Sequence, residues 1–198
     1  MEAKQILDYC LSSLNGTVLV ESWGEKGIFY NPGLVLKRGV YVLTVKEKDG
    51  DNDKASNLDR TGIYRVNLGL RKSTFQKMYG KIPARPTAGG VVDMDCDFTA
   101  LDIIIPHPVY AWMGWVSVLN PSKQTFERLK PLIQEAYEFS VEKFQKENRQ
   151  KLAVILHGMT AFSCPVYAVK GGLCPAAFSA SSTFIILSVA VAVVSCLK

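Results

Sequence analysis

The stretch Gly62-Ile63-Tyr64-Arg65-Val66-Asn67-Leu68-Gly69-Leu70 decides the fold class. Tyr64, Val66 and Leu68 alternate with Arg65 and Asn67, the two-residue period of a β-strand with one apolar and one polar face. That alternation predicts a strand packed on one side only, with the Arg65–Asn67 side wet, as antiparallel sheets allow. Upstream, Val40-Tyr41-Val42-Leu43-Thr44-Val45 is β-branched and aromatic and predicts a central strand. Short strands are expected from Thr17 to Val20 and in the segment that ends at the Phe29–Gly33 turn, and another from Tyr110 to Leu119.

Helical spacing flanks these strands. Ile6, Leu7, Cys10, Leu11 and Leu14 predict a first helix, stopped by Asn15-Gly16. Ser73 is a candidate cap for a short helix carrying Phe75, Met78 and Tyr79. Asn120-Pro121 predicts the start of a long helix, with Phe126, Leu129, Leu132, Ile133, Ala136, Tyr137, Val141 and Phe144 as its apolar stripe. Pro131 is expected to kink or divide it. Lys46–Asn57 and Lys81–Asp97 read as loops, and Thr99–Ile105 as a short helix or turn. The outline is a two-layer α+β domain, a mainly antiparallel sheet covered by N- and C-terminal helices.

Charge divides the chain. Residues 1–151 hold 21 basic and 18 acidic residues, a net +3, whereas the last 47 residues carry only Lys170 and Lys198. A domain boundary is therefore expected near Arg149–Leu152, giving a domain of residues 1–150 and an uncharged apolar tail, 151–198. Gly171–Leu197 has no charge and suits a C-terminal membrane anchor. An alternative C-terminus joined to a complete domain explains the same composition. Five widely spaced cysteines and no secretory pattern point to a reducing, cytoplasmic setting for the domain.

Several strings resemble a known family: Ser56-Asn57-Leu58-Asp59-Arg60, Gly62 to Gly69, Thr74-Phe75, Pro106-His107-Pro108-Val109-Tyr110, Trp115 and Val118-Leu119-Asn120-Pro121. They resemble domain of unknown function family 6194 over nearly all of residues 1–147, in the family's order. The helix–strands–helix arrangement is also similar to the YjbR-like fold shared with frataxin-type proteins. The resemblance implies that fold and little chemistry.

Candidate sites follow from residue type. His107, the one histidine of the domain, sits between two stiffening prolines and suits acid–base work with Asp102, or a structural turn held by backbone hydrogen bonds. Alternating carboxylates at Asp49-x-Asp51-x-Asp53 and Asp93-x-Asp95-x-Asp97 lack the glycine and glutamate of an EF-hand loop. Asp95, Asp102 and His107 remain a candidate metal set. Arg65 and Asn67, with Asp59 and Arg60 before them, suit binding of a small anion through the guanidinium fork. Trp112 and Trp115, three apart, are expected on opposite sides of their strand, one in the core and the other, with Trp23, available to line a pocket or stack on a base; Trp115 is the candidate ligand contact.

No glycine-rich phosphate loop, zinc motif or nucleophile elbow occurs, and no cofactor is identified. Three functions fit this chemistry. The leading one is a small-ligand-binding domain with Arg65, Asn67 and His107 at a polar pocket. Removing the Arg65 side chain is then expected to weaken binding without unfolding the protein. The others are a metal- or histidine-assisted enzyme and a nucleic-acid-binding module, the latter with only the mild basic pairs Lys37-Arg38 and Arg71-Lys72. Oligomeric state is not legible.

Overall fold

The computed structural model describes residues 1–22 and 24–160. Helix α1 (Ala3–Ser13) leads into strands β1 (Thr17–Ser22), β2 (Glu25–Tyr30) and β3 (Val40–Lys46). After a long loop come β4 (Arg65–Gly69) and helix α2 (Lys72–Tyr79). A second long loop reaches β5 (Ile105–Pro106), then β6 (Trp115–Leu119) and helix α3 (Lys123–Thr160). The six strands form one sheet in the order β1-β2-β3-β4-β6-β5, every neighbour antiparallel.

One face of the sheet carries Ile28, Leu43, Val45, Val66, Leu68, Val116 and Val118, which register places opposite one another across β2, β3, β4 and β6. These side chains share a core with Ile6, Leu7 and Cys10 of α1 and Phe126, Leu129, Ile133 and Ala136 of α3. The two-layer α+β reading is thus the observed architecture, and the α3 stripe falls where its periodicity predicts. Gly16 ends the α1 connection at φ +73, and a Cβ there would lie 3.1 Å from the Tyr30 ring.

Several local expectations are corrected. The Arg65–Asn67 face of β4 is not wet: Arg65 is fully buried and Asn67 nearly so. The long β3–β4 and α2–β6 loops fold back over it. The segment from Tyr110 to Leu119 is not one strand, because a 3-10 turn (Ala111–Met113) and Gly114 at φ +88 precede β6. Trp112 therefore leaves the strand and packs under the Arg85 guanidinium, 5.0 Å from its ring centroid. Helix α2 begins after Arg71, and Ser73 makes no cap. Helix α3 runs through Pro131 as a single element.

Asn120 does not cap α3 either. Ser122 does so, its Oγ accepting the Thr125 N–H at 3.1 Å. Asn120 sits at φ +41 and ties two segments instead. Its Oδ1 accepts the Tyr64 N–H and its Nδ2 donates to the Gly62 carbonyl, both at 2.8 Å.

Residues Met1–His157 form one compact unit. The membrane-anchor expectation is corrected: among the described residues no helix is long and apolar enough to cross a membrane. Residues 171–197, on which that expectation rested, lie outside the described residues, as does Trp23.

Replacing Asn120 by Ala removes both bonds and puts a Cβ-bearing residue with no compensating polar group at positive φ. Urea unfolding should show a loss of about 1–3 kcal/mol. Asn120→Gly should recover only the backbone part of that loss.

Candidate functional site

The second face of the sheet is built from three cross-strand rows, each set by register. One runs Ser22, Glu25, Lys46, Arg65 and Leu119. The next runs Val20, Gly27, Thr44, Asn67, Ser117 and Ile105. The third holds Phe29 and Tyr41 on one side and Gly69 and Trp115 on the other. Polar side chains occupy the middle of the first two rows, and the aromatic rings of Phe29, Tyr41 and Trp115 lie in the third.

Arg65 is the centre of the polar part. Its Nε donates to Asn67 Oδ1 at 2.8 Å. Its Nη1 donates to Asp53 Oδ1 at 3.0 Å and to Ser56 Oγ at 2.7 Å, and its Nη2 contacts Asp53 Oδ2. The fork that was expected to take a small anion is thus filled by the protein's own carboxylate. Lys46 Nζ adds a second cation to Asp53 at 2.9 Å and lies 3.4 Å from Glu25. Asn67 continues the network by donating to Thr44 Oγ1 at 3.0 Å. Burial opposes ionisation of Asp53, yet the hydrogen bonds and charge of Arg65 outweigh it and hold the carboxyl well below the usual carboxylate range.

His107 closes this network on the side of the α2–β6 loop. Its Nδ1 accepts the backbone N–H groups of Val109 and Tyr110 at 3.0 and 3.1 Å. A nitrogen that accepts carries no proton, so the neutral ring holds its proton on Nε2. Nε2 lies 3.3 Å from Arg65 Nη2, so two donors face each other. Protonating the ring would turn Nδ1 into a donor against two more N–H groups. Burial, and then the Arg65 charge, push the imidazole pKa well below its usual value.

The aromatic part adjoins it. The Tyr110 and Trp115 rings lie 4.9 and 6.2 Å from the His107 ring. Tyr41 stands 6.1 Å from Trp115 and 4.2 Å from Phe29. A small cleft of about 20 Å³ opens beside Phe29 and Tyr41, between Glu25, Gly27 and Thr44.

The fold brings Arg65, Asn67, His107 and Trp115 close together, but Arg65, Asn67 and His107 are buried and line no open pocket among the described residues. It does not bring Asp102 to His107. The His107 N–H bonds the Trp115 carbonyl and the Asp102 N–H bonds the Leu119 carbonyl, four residues along β6, a separation of about 13 Å at strand rise. Asp102 instead accepts the Ser122 N–H at 2.6 Å, at the start of α3. Asp95 is exposed, and among the described residues no three His, Cys, Asp or Glu side chains group as a metal site requires.

Asp59 and Arg60 line a separate open cleft of about 410 Å³ with Lys48 and Tyr64. Arg60 is committed there to the Asn57, Ser56 and Thr99 carbonyls. Arg71, of the second basic pair, is bound to Glu142.

Asp53, Ser56, Thr44 and Lys46 were missed as site residues. Asp53 stood in the sequence only as one of three alternating carboxylates. Ser56 stood inside the family string, which was the one available signal.

The fold and site define an α+β domain whose sheet packs helices on one face and a sealed charge network with an aromatic rim on the other. The chain belongs to DUF6194, a family of unknown function, which matches residues 1–150. No curated protein and no solved structure matches the chain.

Arg65→Ala would leave buried Asp53 with Lys46 alone as its cation and deprive Asn67 and Ser56 of their guanidinium partner. It should cost about 3–5 kcal/mol in denaturant unfolding, against the sequence expectation of an unperturbed fold. His107 supplies a pH test. Its folded pKa is depressed, so below about pH 6.5 the unfolded chain binds the extra proton. Stability should fall as pH drops from about 6.5 towards 4, by at most about 1.4 kcal/mol per unit. Asp53 contributes only at lower pH, because its stabilisation is present above its unfolded pKa. The His107→Gln chain should be less stable and show a shallower slope in that window.

Proposed function

We propose that this domain binds a small organic molecule on the second face of its sheet, using Tyr41, Trp115 and Tyr110 as the contact surface. The observation that supports this reading is the exposure of the rings. Tyr41 and Tyr110 are 40% and 45% exposed while both pack on Trp115. Aromatic side chains grouped at the surface beside convergent polar atoms are what a ligand site requires.

The Arg65–Asp53–His107 network serves this site as a rigid base. His107 touches both parts, so it is a positioning residue that fixes Tyr110 and Trp115 against the sheet. Its burial and the two N–H groups on Nδ1 do not favour an acid–base role. The finer YjbR-like arrangement belongs to this same reading: terminal helices on one face, ligand on the other.

A fragment screen on the full chain, read by aromatic NMR, tests it. Binding fragments should shift Tyr41, Trp115 and Tyr110 together. Tyr41→Ala and Tyr110→Ala should each weaken binding by roughly 2- to 10-fold, the worth of one aromatic contact. Both rings are under half exposed, so the two variants should lose only a few degrees of thermal midpoint. Fragments that shift only the Arg60 cleft would overturn the assignment.

A further inference from the structure

We infer that one buried water is an integral part of this domain, bound on the second face of the sheet between Ser117, His107 and Arg65. The site is sealed, unlike the exposed aromatic face, and forms whether or not a ligand binds there. Among the described residues, Ser117 Oγ is the one fully buried side-chain nitrogen or oxygen with no hydrogen-bond partner. Ser117 is 1% exposed, so bulk solvent does not serve it. A buried hydroxyl left without a partner is costly, and buried waters are what such groups bind.

Register puts that hydroxyl beneath a second mismatch. Ser117 pairs with Asn67 of β4 on one side and with Ile105 of β5 on the other. Arg65 stands beside Leu119, two residues along β6, and His107 beside Trp115, two residues the other way. The Arg65 and His107 side chains meet at 3.3 Å, so the line joining them crosses β6 at Ser117. There Nη2 carries the one guanidinium N–H that Asn67, Asp53 and Ser56 leave over. Nε2 carries the imidazole proton, because Nδ1 accepts from Val109 and Tyr110. Asn67, the nearest amide, is engaged with Thr44 and Arg65.

Two protons without an acceptor thus converge on one hydroxyl without a partner. A water matches that set. Its lone pairs accept from Nη2–H and Nε2–H, and one of its protons goes to Ser117 Oγ. About three bonds is the usual complement of a buried water. Packing still holds the two donors side by side, and the water gives each proton an acceptor. Charge selects water over an anion. Arg65 and Lys46 are balanced by Asp53 and Glu25, and His107 is neutral, so no excess positive charge remains to hold a halide. The water also ties the Nε2–H tautomer of His107 to β6, and with it the ring on which Tyr110 and Trp115 pack.

NMR of the full chain with 15N-labelled histidine, at neutral pH in chloride buffer, tests the inference. The His107 Nε2–H should show a cross-relaxation peak to water with the sign of a long-lived bound molecule. An exchange peak alone, or no peak, would overturn it. Replacing chloride by bromide should leave that proton unmoved; a halide-dependent shift would overturn water in favour of a bound anion.

Ser117→Ala gives a second readout, because its sign differs between the two cases. An orphan hydroxyl costs stability, so removing it would raise the thermal midpoint or leave it unchanged. A hydrated hydroxyl contributes a hydrogen bond, so its removal should lower the midpoint by roughly 2–4 °C and weaken the water peak. A raised or unchanged midpoint would overturn the site, and the spectrum of the unaltered chain keeps the test decisive if the variant fails to fold.

Discussion

The paired contact between Arg65 and Asp53 fixes the second face of this domain. A guanidinium with no exposed surface is tolerated only when its donors are met by acceptors. Asn67, Asp53 and Ser56 meet four of the five N–H groups. Each acceptor constrains a different piece of chain. Asn67 lies two residues along the same strand, whereas Asp53 and Ser56 bring the β3–β4 loop down onto the sheet. That loop is closed locally by the Gly50 and Asp53 backbone pair, which presents the carboxylate inward. A buried pair of this kind adds little net stability over apolar packing, so its physical effect is to specify one loop conformation.

The sequence carried the apolar half of the fold and not the polar half. Val66, Leu68, Val45 and Leu43 announce their face by alternation, and Ile6, Cys10, Leu129 and Ile133 do so by helical spacing. Those signals depend only on neighbours close in the chain. The burial of Arg65 and Asn67 depends on a loop twelve residues away, and an alternating polar side reads the same whether water or a loop covers it. The pairing of Asp102 with His107 failed for a related reason. Five residues separate them in sequence, but β5 and β6 carry their backbones to points four residues apart along one strand.

Local rules were also overruled where a tertiary bond was available. Asn-Pro is a good helix opening, yet Asn120 takes positive φ because its amide can satisfy the Tyr64 N–H and the Gly62 carbonyl together. Ser122, one residue past the proline, then takes over the cap. At Trp112–Trp115 the overlooked signal was Gly114. Its Cβ-free backbone comes close to β4's end, where an added Cβ would meet the Leu70 carbonyl at 2.9 Å. A strand crossing that point would break the approach, so the chain turns and frees Trp112.

Two glycines explain why the same face is sealed at one end and open at the other. Gly69 lets the Trp115 ring lie against the sheet, within 3.2 Å of where a Cβ would stand, and Gly27 does the same for Phe29. Glycine inside a strand weakens it, so the gain lies in what the missing side chain admits. With Trp115 and Phe29 pressed flat, Tyr41 between them has no room to follow and stays at the surface. His107 then joins the two ends. Its ring packs on Tyr110 and Trp115, and its Nε2 abuts Arg65 across a donor–donor contact that only the surrounding packing can hold. The charge network and the aromatic rim are therefore one mechanical unit, and the position of the exposed rings is set by ionic contacts that no ligand needs to touch.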